Sequence, residues 1–301
     1  MDLTASTRTL RFLRTSSIAA VAALGATAAI GIPAHATPPP RSGGFATVAA
    51  QPAVAAASRQ PATMTVFRPS NGTWYVHGVG SRQWGRNGDV PVPADYNGDG
   101  TTDLAVYRPS TGVWYIRNVA TVRWGNRGDL PVPRDYDGDG RVEITVFRPS
   151  NGTWYARGLG EIQWGQNGDS PQPRDYDGDG NVDVAVFRPA TGYWWVQGLG
   201  KVRWGRATDK PVPRDYGGSG AADVAVYRPS TGGWYIHGVA TVQWGRSADE
   251  PVPGDFNADG IVDIAVWRPG SGQWLVRGGS TVAWGRAGDL PLATPARISL
   301  R

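Results

Sequence analysis

After residue 63 the chain repeats itself every 40 residues. Trp84, Trp124, Trp164, Trp204, Trp244 and Trp284 mark one position of the unit, and Trp74, Trp114, Trp154, Trp194, Trp234 and Trp274 mark another. The Arg-Pro pairs that begin at Arg68, Arg108, Arg148, Arg188, Arg228 and Arg268 keep the same interval. With 42 Gly, 24 Pro and 14 Trp against two Met, the unit favours short strands and tight turns over helix. A unit this small cannot bury its own apolar faces, so the copies must stack on one another. The expected fold is therefore all-β: a β-propeller of six four-stranded antiparallel blades, with a seven-bladed or open arrangement as the alternative.

One unit shows where its four strands fall, over residues 131–136, 143–148, 153–157 and 161–164, with turn chemistry between them. The run Leu104-Ala105-Val106-Tyr107 is apolar on both pleat faces, as a strand sandwiched between neighbouring blades requires. Pro109 then ends that strand, and Ser110-Thr111-Gly112 supplies the next turn. The tail at 291–300 stands where a seventh innermost strand would begin, while residues 51–62, which should open the first blade, have lost the pattern. Pairing the tail with the first blade would close the ring and remove its exposed edge.

Ahead of the repeats, Arg8, Arg11 and Arg14 precede an apolar run from Ile18 to Ile32 and a small-residue site at Ala34-His35-Ala36. Residues 1–36 read as a secretory signal peptide, 37–62 as an Ala/Pro-rich leader, and 63–301 as the propeller. The apolar run is shorter than the roughly 20 residues that span a bilayer, so secretion is expected rather than stable membrane insertion. The chain has no cysteine, so core burial, stacking and metal must stand in for disulfides. The net charge of +5 loses three Arg and one Asp with the signal, too small a balance to argue for nucleic acid.

The segment between the first two strands of a blade carries the chemistry. Asp95, Asn97, Asp99 and Asp103 are spaced as D-x-N-x-D-G-x-x-D. The pattern returns as Asp135, Asp137, Asp139 and Glu143, as Asp175, Asp177, Asp179 and Asp183, and as Asp255, Asn257, Asp259 and Asp263. Oxygen ligands this dense repel one another unless a cation sits among them, and calcium accepts six to eight. The carbonyls of Thr101, Arg141, Asn181 and Ile261 would add one ligand each, for about four Ca2+ ions in all. An EF-hand is excluded, because its twelfth position holds Val106, Val146, Val186 and Val266. The loop at Asp215 has lost two ligands to Gly217 and Ser219, and the first blade has no such loop.

These units resemble the FG-GAP/VCBS repeats of bacterial extracellular proteins and of integrin α-subunit propellers, over about residues 64–290. The resemblance implies a propeller with calcium in its hairpin loops that serves adhesion, protein or carbohydrate recognition, or a secreted enzyme as an accessory. Two departures stand out: Arg-Pro-Ser where the family name suggests Gly-Ala-Pro, and six units where family propellers more often have seven.

At the end of the blade away from these loops, the Arg-Pro arginines meet a second ring: Asp89, Asp129, Asp169, Asp209, Asp249 and Asp289. These either pair with one another or, with Arg86, Arg206, Arg246 and Arg286, form a site for an acidic ligand or glycan. The Trp positions fit the core better than sugar-stacking clefts. Only His77 and His237 follow the signal, and no Ser-His arrangement or zinc cluster accompanies them, so catalysis is not expected. The function expected is a secreted calcium-binding module for an extracellular protein or glycan, with a calcium-dependent lectin, or a polysaccharide-active enzyme, as alternatives.

Overall fold

The computed structural model describes residues 60–295 and 297–300; the expected signal peptide and most of the leader lie outside the described residues. Six four-stranded antiparallel sheets form a six-bladed β-propeller, and no helix occurs among the described residues. The first blade contains β1 (Thr63–Arg68), β2 (Thr73–Val76) and β3 (Gly80–Gln83). The second runs through β4 (Val90–Pro91), β5 (Ala105–Arg108), β6 (Val113–Ile116) and β7 (Ala120–Arg123).

The innermost strand is short because of its prolines. Val92 N–H donates to Ala105 O at 2.9 Å, so the flanking Pro91 and Pro93 turn their nitrogens to the unpaired channel side, where no ladder bond is lost. Burial then falls outward along the blade. The stretch 104–107 is buried on both faces, β6 alternates, with Trp114 and Ile116 inside, and the outermost β7 is buried on neither. The strands expected at 131–136 and 143–148 are regular only over Leu130–Pro131 and Thr145–Arg148. Between them the chain keeps a single bridge, Arg134 to Glu143, as the loop splays the strands apart.

Both Trp sets are structural. Trp74, Trp114, Trp154, Trp194, Trp234 and Trp274 are buried to 2% exposure or less. Each donates its indole N–H to the main-chain oxygen of the second Trp of its blade, at 2.7–2.9 Å. That second Trp donates in turn to the third strand of the next blade: Trp84 to Tyr115 O at 3.0 Å, and so around to Trp284 and Tyr75 O at 3.3 Å. One indole bond therefore fastens each blade to the next and the last to the first.

The hairpin after the second strand has room for glycine alone. Gly112 has φ 66°, and a Cβ there would stand 2.1 Å from Gly125 O, whose residue lies in the approaching connector. The paired reading of the charged ring also holds. Arg108 donates Nε to Asp89 Oδ1 at 2.7 Å and Nη2 to Oδ2 at 2.9 Å, and the same fork recurs in every blade, with Arg68 and Asp289 joining the chain's two ends. The guanidinium stacks over Tyr75, Tyr115, Tyr155, Trp195 or Tyr235 at 4.0–5.2 Å. These arginines are thus committed to the fold, and the acidic-ligand reading of that ring fails for them.

The C-terminal strand Leu290–Thr294 completes the first blade, pairing with β1 from Phe67↔Leu290 to Thr63↔Thr294. It supplies the innermost strand of that blade.

Candidate functional site

Five hairpin loops project from one end of the ring, between the first and second strands of blades two to six. Their conformation is written by the first Asp. Asp135 Oδ1 accepts the Gly138 N–H at 2.7 Å and Oδ2 accepts that of Gly140 at 2.9 Å, with Gly138 and Gly140 both at positive φ. Asp95 and Asp175 do the same. At the fifth position Asp99, Asp139, Asp179 and Asp259 each accept the N–H two residues on. The ninth residue closes the base: Asp103, Glu143, Asp183 and Asp263 accept the N–H of Tyr96, Tyr136, Tyr176 and Phe256. The Asp215 loop keeps this backbone through Ser219 and Gly220 without the ligand set.

Two loops gather carboxylates most tightly. Asp135, Asp137, Asp139 and Glu143 can each bring one oxygen within 4.8 Å of the others, as can Asp175, Asp177 and Asp183. Desolvation by the surrounding protein, with added repulsion from the neighbouring aspartates, pushes Glu143 up to about 7 and Asp183 up to about 6 against the Tyr N–H bonds. Burial likewise raises Asp103 and Asp263. In the last blade Asp255 Oδ1 is buried without a hydrogen-bond partner among the described residues. A buried, orphaned carboxylate oxygen is costly alone and suits a cation ligand. The hard, oxygen-only donor set fits a divalent ion of the calcium kind.

The raised values fix a sign. A carboxylate whose folded pKa exceeds its ordinary value stabilises the metal-free fold below that ordinary value and loses the contribution as pH rises through the folded value. The metal-free protein should therefore melt at a lower temperature at pH 8 than at pH 5.5. A bound cation needs the ionised groups, so affinity should rise across pH 6 to 8, with proton uptake into buffer when calcium is added near pH 6.5. Melting curves at both pH values and titrations in buffers of different ionisation enthalpy measure this. Equal affinity at both ends would sink it.

The loops also bind one another. Val142 N donates to Asp95 O at 2.9 Å, Ala222 to Asp175 O at 2.7 Å and Val262 to Asp215 O at 3.0 Å. Where the first blade has no loop, Ala62 N makes the equivalent bond to Asp255 O, and the tail around Arg297 to Ser299 pairs with Thr102. A polar cavity of about 170 Å³ opens beside the Asp95 loop, lined by Asp99, Thr101, Asp103, Arg117 and Ser299 among others. The turns between third and fourth strands reach the same end, since Arg117 N donates to Leu104 O. They leave Val79, Val119, Leu199 and Val239 exposed there.

Sequence reasoning missed the channel. Arg134, Arg174 and Arg214 occupy one position, the isolated bridge just past the innermost strand, in three consecutive blades, and among the described residues none has a carboxylate within ion-pairing distance. Burial lowers Arg134, and burial with the charge of Arg134 lowers Arg214 to about 10. Their 40-residue spacing was the available signal. His77 and His237 pack edge-on against Trp284 and Trp204 at 5.0 and 4.8 Å.

No family model matches the chain, and no curated protein matches it. Among solved structures it is similar to one of an Agrocybe aegerita lectin that recognises non-reducing terminal N-acetylglucosamine, at 14% identity and a TM-score of 0.46 over 80% of this chain and 92% of that one. It is also similar to the dihydro-heme d1 dehydrogenase NirN in complex with DHE, at 14% identity and a TM-score of 0.38 over 80% and 57% of the two chains. At such scores these likenesses add nothing to the ring described above.

Proposed function

We propose that the chain is a secreted calcium-binding propeller of the FG-GAP/VCBS kind that serves as a binding or adhesion module for an extracellular protein or glycan. The carboxylate cluster of Asp135, Asp137, Asp139 and Glu143 carries this reading, repeated as it is around one end of the ring. Asp95, Asp175 and Asp255 head the equivalent loops, and the orphaned oxygen of Asp255 supports the same cation chemistry. The loop end is the binding face, because exposed aliphatic side chains there surround polar loops, the composition of a recognition surface. The forked Arg–Asp pairs at the other end leave the Arg-Pro arginines little to offer a partner.

The polar cavity beside the Asp95 loop favours a second reading, a calcium-dependent lectin, since a cation and Arg117 together would hold sugar hydroxyls. A glycan array probed with the chain, with and without calcium, tests this. Calcium-dependent retention of defined glycans would establish the lectin. Retention of cell-surface protein alone would favour the adhesion module, and release of cleaved product would reveal the enzyme neither reading includes. Calcium-indifferent binding in every arm would count against the proposal.

A further inference from the structure

We propose that the central channel holds an oxyanion, a sulfate, phosphate or carboxylate group, between the guanidinium groups of Arg134, Arg174 and Arg214. The three are equivalent bridge residues just past the inner strands of successive blades, so the ring sets them on one arc of the channel wall. Ala94, Gly254 and Thr294 complete the tier, which contains no acidic residue. Arg134 Nη1 donates to Pro133 O at 2.8 Å, Arg174 Nη1 to Pro173 O at 2.7 Å and Arg214 Nη1 to Pro213 O at 2.9 Å. Arg174 Nε also reaches the next blade at Pro213 O, 3.2 Å away. These main-chain bonds orient the groups and, among the described residues, leave most of their five N–H donors each without an acceptor.

The charge is concentrated. Arg134, Arg174 and Arg214 stand on adjacent blades, and Arg174 Nε, bonded to Pro213 O, spans to the blade that carries Arg214. The acids next to them in sequence, Asp135, Asp175 and Asp215, turn their oxygens to loop amides, and those opposite them in the ladder, Glu143, Asp183 and Asp223, accept the N–H of Tyr136, Tyr176 and Tyr216. Three half-buried cations with no carboxylate paired to them among the described residues repel one another, and an oxyanion supplies both the charge and the acceptors. The six Arg-Pro arginines, each forked to its Asp, show how the same fold neutralises guanidinium where no ligand is needed.

The site shares no residue with the calcium loops, so its test reads neither calcium stoichiometry nor partner binding. Sodium sulfate, replacing chloride at constant ionic strength, is titrated into calcium-saturated protein by calorimetry and thermal shift. One sulfate per chain should bind saturably, and the melting temperature should rise to a plateau. Arg134→Gln, Arg174→Gln and Arg214→Gln should each weaken binding about tenfold, the loss of charge-assisted hydrogen bonds. Arg86→Gln, at an exposed position, should bind as the parent does. The triple variant should neither bind sulfate nor melt below the parent in sulfate-free buffer, since like-charge repulsion is relieved. Glucuronate in place of sulfate separates an acidic sugar from a free inorganic anion: tighter binding of glucuronate identifies the former. Sulfate affinity unchanged in all three single variants, or a melting rise that never saturates and is equal in parent and triple variant, would overturn the proposal.

Discussion

Removing calcium should lower the melting temperature of this protein by roughly 10 to 20 °C. Extracellular loops of this type bind calcium with dissociation constants on the order of 0.1 to 1 mM. At about 1 mM calcium and a constant near 0.1 mM, linkage contributes roughly 1.4 kcal/mol per site. Four intact loops together contribute about 5 to 6 kcal/mol, comparable with the whole stability of many domains, and a domain of this size shifts by about 2 to 4 °C per kcal/mol. No disulfide offsets the loss. The geometry couples adjacent loops in pairs, because Asp95, Asp175 and Asp215 O each accept an N–H from the next loop: loosening the Asp95 loop frees Val142, at the base of the next. Asp139→Ala should cost one site's share. Ser219→Ala, in the loop without ligands, should change the calcium response little, since only a hydroxyl bonded within its own turn is lost. Calorimetric titration of chelated protein should return about four ions. A melting temperature indifferent to chelator would show that these loops are ordinary acidic turns.

Deleting residues 290–301 should leave a ring that does not close. The segment forms the inner strand of the first blade and five residue pairs with β1, and its loss exposes Val66 and Phe67, both at 0%. It also removes the buried Thr65–Thr294 hydroxyl bond at 2.8 Å and Ile298, which packs with Phe67 and Leu104. Each fully buried Leu or Ile contributes about 1.5 to 3 kcal/mol and each ladder bond about 1 kcal/mol, so the total exceeds roughly 5 kcal/mol. The bared edge of β1 should then recruit other chains. Expected are a melting temperature at least about 10 °C lower, self-association by sedimentation, and partial rescue by a synthetic peptide covering 287–301. A truncated chain that stays monomeric and melts like the parent would sink this account of closure.

The sequence by itself determined the unit and what each unit must do. Forty-residue spacing of Trp, Arg-Pro and Gly fixed the blade, and the two-sided apolarity of Leu104 to Tyr107 placed the second strand inside, because side-chain alternation leaves no other way to bury both faces. The loop carboxylates were legible for the same reason: their ligand spacing is local, and their turn is written by the amides two to five residues on. What lies between repeats was not local, and only the tertiary structure decided it. The Arg-Pro arginines were open to two readings until the fork to the aspartate of the adjoining blade connector was seen, 19 residues earlier for Arg108 and at the far end of the chain for Arg68. The partner of β1 lies at the far end of the chain. Arg134, Arg174 and Arg214 read in sequence as three unremarked strand residues. They become a cluster only because ring closure turns equivalent positions of successive blades toward one axis, and no spacing along a chain encodes which charges that axis brings together.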